Sequence, residues 1–443
     1  MINSVAEILL CLVGVVSIWW MHATLDEWML KEAVSLSDDS AALEALVHAL
    51  GDDVDLLGFG EALHGGEEML LFRNRLFKHL VVSHGYRAIA MESSFTRGRL
   101  LNAFLAGQGP ATSEEACHLG FSHGFGKVEA NRELVEWMRA YNEDPAHEVK
   151  LRFYGFDLPL ATAGPASPRQ VLEGILDFFA KIDPATELRY RERILPHLGE
   201  DASWENPMIW RDPVQSADLL AAVTALRAET EDLMTELQVR RPEWVKGSSR
   251  EFYAQALHDV TVVRQLLNFY MALARDTGYT AGLSVRDAMM ADNLVYILAC
   301  EQERGRVMAF AHNAHLQRGQ VELAMGPQVC QWWPAGAHVH EMLGARYAVI
   351  GSALSVSEVN GIGEPEAGSL EAKLSAFPGP VRFIPTHQGQ GLPGAEMRTV
   401  LPRAGSQKNR SYIPLNAQSF SDFDAWVIFD QTGYTRGANP LPA

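Results

Sequence analysis

The sequence is short of three things. Its four cysteines (Cys11, Cys117, Cys300, Cys330) lie far apart, and none belongs to a C-x-x-C pair. That excludes a disulfide framework and a cysteine zinc site, and fits reduced thiols in a cytoplasmic protein. Basic charge is scarce: 37 Lys and Arg against 55 Asp and Glu leave a formal net charge of −18. Binding phosphates needs a basic face, so the charge argues against nucleic acid and anionic membranes as partners. Neutral or cationic small molecules stay open. A membrane-length apolar run is also missing. Ile8–Trp20 (ILLCLVGVVSIWW) is too short for a comfortable span. No Lys or Arg precedes it, Glu7 abuts it, and no small-residue cleavage site clearly follows. A signal, an anchor and a packed helix compete with a start at Met21. Residues 1–20 are treated as a doubtful apolar leader.

What remains is an ordinary globular balance, 47% apolar and 21% charged over 443 residues. Ser37–Leu50 reads as a helix. Short apolar strands then alternate with helical stretches. The strands are Asp55–Gly60, Tyr86–Met91, Val149–Phe156, Val307–Phe310, Arg346–Gly351 and Ala425–Phe429. Helices are expected from Glu68 to about Ser83 and from about Arg97 to Leu105. Uninterrupted apolar strands in such alternation predict an α/β fold: a mostly parallel central sheet flanked by helices. Between about Pro168 and Asp276 no strand is evident. Leu219, Val223, Leu226, Thr230, Leu233 and Leu237 keep an a/d spacing, and Leu257, Val260, Leu267 and Tyr270 form a second stripe. These predict an all-helical insertion, a helical bundle, with Trp204, Trp210, Trp244, Phe252 and Tyr253 chiefly as core. The expected division is 21–165 and 279–443 for the two halves of the α/β core and 166–278 for the insertion. A monomer or small homo-oligomer is expected.

Four strand ends share a pattern. Glu61 and then His64-Gly-Gly follow the first, Glu92 the second, Asp157 the third, and His312-Asn-Ala-His315 the fourth. Parallel α/β folds bind ligands just beyond the carboxyl ends of strands, so these side chains are expected in one crevice. Glu61, three residues before His64, would fix the imidazole tautomer and raise its basicity, as a general base needs. Gly65 and Gly66 allow close backbone approach or positive φ. Arg73 or Arg75 would reach back to Glu92 or to a carbonyl oxygen. His312 and His315 would share a face if their segment is helical.

Three other readings compete. The His/Glu cluster has ligand types for a metal, or for haem, but lacks a strong zinc signature such as H-E-x-x-H; no metal and no cofactor are expected. Gly120-Phe-Ser122-His123-Gly124 spells G-x-S-x-G, but the polar stretch before it does not read as the required strand. Of the scattered histidines (His118, His123, His258, His338, His340), His123 and His258 are the candidates to line the cleft.

The blocks GEALHGGEE (60–68), AMESS (90–94), FYGFDLP (153–159), RDAMMADNL (286–294) and AHNAH (311–315) resemble the erythromycin esterase family, over about residues 50–435. The resemblance implies an α/β core with a helical bundle and hydrolysis of a macrolide-like or other polyketide ester without a serine nucleophile. It further implies that His64 activates water and Glu61 assists. Glu92 would hold the water or a partner side chain, Arg73 would stand in the polar wall, and His312 and His315 would bind the carbonyl or its oxyanion. Asp157 and His123 are expected on the substrate side. The chain departs from the family around 121–128, where many relatives carry tryptophans. A biosynthetic elimination, cyclisation or acyl transfer at the same residues is the competing chemistry.

Overall fold

A computed structural model describes residues 24–441, apart from 37–39, 162–164, 211, 276–278 and 326–327. The apolar leader at 1–20 lies outside the described residues. The strands are β1 (Val34–Ser35), β2 (Leu56–Glu61), β3 (Tyr86–Ser94), β4 (Arg152–Asp157), β5 (Arg306–His312), β6 (Val321–Met325), β7 (Gln328–Trp332), β8 (Tyr347–Val356), β9 (Val381–Pro385) and β10 (Ala425–Gln431). Eight form one sheet in the order β1-β9-β10-β8-β2-β5-β3-β4. From β10 to β4 all neighbours are parallel. Strands β9 and β1 add antiparallel at one edge, and β6 and β7 make a separate hairpin.

The mostly parallel, helix-flanked sheet is the expected fold class. Its antiparallel edge and the hairpin are not among the strands expected from sequence. The reason is local: β1 has two residues, and β9 (VRFIP) carries an arginine in its middle and a proline at its end, so neither presents an apolar run. Strand β4 begins at Arg152 rather than Val149.

Alternation along the strands sorts residues between two cores. Leu57, Phe59, Ile89, Met91, Met308 and Phe310 face one layer, with the helices Glu67–Ser83 and Glu129–Glu143. Ala88, Ala90, Ala309 and Ala311 face the other. Small side chains on that face let the helix Thr280–Glu301 lie close over β3, β4 and β5. That approach later brings Arg286 to the strand ends.

The middle of the chain is helical, as its stripes predict. Helices Ala217–Val239 and Arg250–Arg275 pack together. Val223, Leu226, Thr230, Leu233 and Leu237 are buried, as are Val260, Leu267 and Tyr270. Trp204, Trp210 and Trp244 are core residues too. Trp210 stacks on Tyr270 at 4.4 Å, and Trp204 meets the same ring edge-on at 5.3 Å. Among the described residues no helix is long and apolar enough to cross a membrane.

One position shows how tightly β4 is held. A Cβ on Gly155 would stand 2.5 Å from the Ser93 carbonyl oxygen and closer still to that of Ser94. Neither backbone oxygen can yield without breaking strand pairing. Gly155→Ala is therefore expected to destabilise the chain by about 1–3 kcal/mol, read as a lower urea midpoint. An unchanged midpoint would contradict this packing.

Candidate active site

The four polar strand ends meet because β2, β5, β3 and β4 are consecutive in the sheet. Glu61 pairs in register with His312. Asp157 pairs with Ser94, and β3 carries an extra residue between Met91 and Ser94. Such a bulge re-aims side chains, here that of Glu92. Beyond β2 the chain turns through Gly65 at φ +83°. A Cβ there would lie 2.8 Å from the Tyr434 ring, so the turn needs glycine on two counts. Gly66 has an ordinary φ of −72° and caps the helix Glu67–Ser83 without a side-chain bond.

Glu61 Oε1 lies 2.7 Å from His64 Nδ1. The segment 409–411 fixes the loop: Ser411 Oγ accepts from His64 N at 2.8 Å, and Asn409 Nδ2 donates to the His64 carbonyl at 3.1 Å. Burial pushes the Glu61 carboxyl up in pKa, only partly opposed by its bond to His64. Burial works to lower His64, but the Glu61 bond and the charge of Glu92 outweigh it, and the imidazole stands above its ordinary value of 6.5. The His64 side chain is 35% exposed. Its Nε2 carries no hydrogen bond among the described residues.

His312 approaches His64 edge-on, with ring centroids 5.3 Å apart. Its Nε2 donates to the Ser411 carbonyl at 2.8 Å, and its Nδ1 accepts from Ala314 N at 3.1 Å. Burial, with the charge of His64 adding, pushes it down to about 3, so the ring is neutral. The shared helix face expected for His312 and His315 does not form. The helix is only Asn313–Leu316, His312 is its N-cap, and the two rings part.

Behind this pair lies a buried ion cluster. Arg286 donates from Nε and Nη2 to both Asp157 oxygens, at 2.9 and 2.5 Å, and from Nη2 to Glu92 Oε1 at 2.9 Å. Glu92 Oε2 accepts from His312 N at 2.9 Å. His315 places Nδ1 2.8 Å from Asp287 Oδ1 and Nε2 3.3 Å from Glu92 Oε1. Asp287 also accepts from Trp332 Nε1 and Ala335 N. Burial alone would raise Glu92, but His315, His64 and Arg286 hold it well below the carboxylate range. Burial would lower His315, yet Asp287 and Glu92 push it up to about 10.

Neither Arg73 nor Arg75 is the guanidinium on Glu92; Arg286 is. Arg73 is wholly buried and gives Nε and Nη2 to Asn74 Oδ1, at 3.0 and 2.7 Å. Its guanidinium lies 4.7 Å above the Phe310 ring. Burial lowers its pKa to about 10. Its Nη1, like Glu61 Oε2, has no partner among the described residues. Arg75 stands over Phe72.

A cleft of about 350 Å³ opens onto these groups. Glu61, His64, Arg73 and His123 line it with Met91, Phe125, Phe310, Tyr434 and Thr435. Glu92, Asp157, His312 and His315 stand behind that wall. His123 has φ +57°, lies 3.0 Å from Ser122 Oγ and places Nε2 3.7 Å from Asp157. Ser122 follows the helix Ser113–Gly120, not a strand, and its Oγ accepts from Ser94 N at 2.8 Å, so no nucleophile elbow forms. His258 is buried away from the cleft, stacked on Tyr296 at 3.6 Å and bonded to Asn293. His118 is exposed, and His338 and His340 are half-buried on the helix Ala335–Leu343. Glu92, His123 and Asp157 bring ligand atoms within 4.8 Å of one another. A cation there would have to displace Arg286 from both carboxylates.

The fold is α/β, and its cleft is lined by imidazole, carboxylate and guanidinium groups. The chain belongs to the erythromycin esterase family: the model described as Erythromycin esterase matches residues 81–432. It is an ester hydrolase of that family. It is 25% identical over 308 residues to erythromycin esterase type II of Escherichia coli, covering 68% of each chain. In structure it resembles a protein from Bacillus cereus (TM-score 0.72, 16% identity, 94% of this chain and 98% of that one). It also resembles a histidine-to-asparagine mutant of erythromycin esterase EreC in its open conformation (TM-score 0.65, 18% identity, 90% and 95%). Glu92, Asp157, Arg286, His312 and His315 lie within the matched residues, whereas Glu61, His64 and Arg73 precede them.

Residue chemistry had not singled out Arg286, Asp287, Asn409 or Ser411. The first two open the block RDAMMADNL, where adjacent charges on a helix look like a solvated face. The last two lie outside any element, and only their backbone bonds reveal them.

The His315 shift sets a pH dependence. Its proton is held to about pH 10 in the native chain, against an ordinary value of 6.5. The stability it contributes is complete below 6.5 and lost as pH rises through 10. Urea unfolding should show that decline, and His315→Gln should flatten it. Arg286→Met removes the guanidinium from buried Asp157 and leaves Glu92 with His315 and the His312 amide, and should cost about 3–5 kcal/mol near neutral pH.

Proposed function

We propose that the chain hydrolyses the ring ester of a macrolide-like lactone, or a related polyketide ester, by direct addition of water. One observation carries the reading. His64 is held at Nδ1 by Glu61 and turns an unbonded Nε2 to the cleft. That is the posture of a general base whose tautomer is set by a carboxylate. The relatives named as erythromycin esterases support the substrate class.

Nε2 of His64 takes the proton of a water as its oxygen bonds to the ester carbon. Glu61 steadies the imidazolium that forms. The tetrahedral oxyanion is met by Arg73, which lines the cleft and whose buried Nη1 has no partner among the described residues. As the C–O bond breaks, His64 returns the proton to the leaving alkoxide. His312 has both nitrogens committed to backbone, so it serves as a neutral wall that holds the His64 ring. His315 and Arg286 anchor Glu92, whose charge favours the imidazolium. His123 borders the substrate side, and Asp157 stands behind it on Arg286.

His64→Ala and His64→Gln should each lower turnover of a responsive lactone by about 10²–10⁴. Turnover that survives both changes would remove His64 from the mechanism. The acid limb of kcat/KM should lie above 6.5 and move down in Glu61→Gln. In oxygen-18 water the new carboxylate should carry label. Unlabelled product would favour elimination, cyclisation or acyl transfer instead.

A further inference from the structure

A second cluster of metal-ligating side chains lies outside the cleft. Helix Ser40–Leu50 presents Glu44 to the far end of the helix Glu67–Ser83. There His79 Nε2 stands 3.1 Å and His84 Nε2 2.9 Å from the same Glu44 Oε2. The two rings are 5.3 Å apart, centroid to centroid. We propose that Glu44, His79 and His84 form a binding site for a borderline divalent metal ion of the zinc class, with water completing its coordination.

Geometry, charge and donor type support this. All three ligand atoms lie within 4.8 Å of one another. Ligands around a tetrahedral zinc with bonds of about 2.0–2.1 Å stand roughly 3.3 Å apart, so little movement is needed. Two imidazoles and one carboxylate are a known open-site donor set for zinc. The imidazoles are already held: the His79 side chain is 10% and the His84 side chain 17% exposed, while Glu44 is 55% exposed and leaves a way in. His84 is the cap residue of its helix, where carbonyl ends favour a cation. The ion would join the helix Ser40–Leu50 to the helix that carries Arg73. It would bind only the folded arrangement and so stabilise it.

The test uses the full chain stripped with a chelator, then titrated with zinc chloride and separately with cobalt chloride. The expected result is one ion per chain, a melting temperature raised by several degrees, and a cobalt absorption band of low-coordinate type. Glu44→Gln and His84→Gln should each weaken binding by about tenfold or more and abolish the thermal shift. His123→Ala, in the cleft, should leave both intact. Glu44 is exposed enough that its variant should fold, which circular dichroism checks. No binding to the wild-type chain overturns the proposal. So does binding unchanged in Glu44→Gln and His84→Gln, or binding lost only in His123→Ala.

Discussion

Arg286 is the contact on which the site depends. Its guanidinium reaches Glu92 and both oxygens of Asp157, and one of its nitrogens lies 3.2 Å from His315 Nε2. Three buried carboxylates, Glu92, Asp157 and Asp287, are thereby set against buried His315 and half-buried Arg286. Charges in such a place are tolerated only when paired and hydrogen-bonded. The cluster lies one step behind the cleft wall. It fixes Glu92, and Glu92 in turn receives the amide of His312 and acts electrostatically on His64.

The three histidines of the site illustrate how environment divides one side chain into three. His315 lies between two carboxylates and stays charged. His312 spends both nitrogens on backbone in a dry setting and stays neutral. His64 has one nitrogen on Glu61 and no hydrogen bond at the other among the described residues, and its side chain is the most exposed of the three, which suits it to the proposed role of base. A carboxylate on one imidazole nitrogen makes the other the better base.

Sheet order explains why distant residues cooperate. Strand β5 inserts between β2 and β3, so His312 sits beside Glu61 although about half the chain separates them. The alanines of β3 and β5 on one face admit the helix Thr280–Glu301 closely, and that spacing delivers Arg286. Larger residues there would hold the helix, and its arginine, too far out. The bulge in β3 completes the row by turning Glu92 inward.

Much of this was legible in the residues alone. The apolar runs announced the six parallel strands, the a/d stripes announced the paired helices, and the polar strand ends announced a cluster of Glu61, His64, Glu92, Asp157 and His312, of which Glu61 and His64 line the cleft and the others stand behind it. These signals are local: alternation, strand termination and side-chain chemistry are written within a few residues. Tertiary structure alone decided the rest. It gave Glu92 to Arg286 rather than Arg73, separated His312 from His315, kept His258 out of the cleft, and brought Asn409 and Ser411 to the His64 loop. Each of those outcomes turns on which surfaces pack at long range and how closely, and no short stretch of chain encodes that.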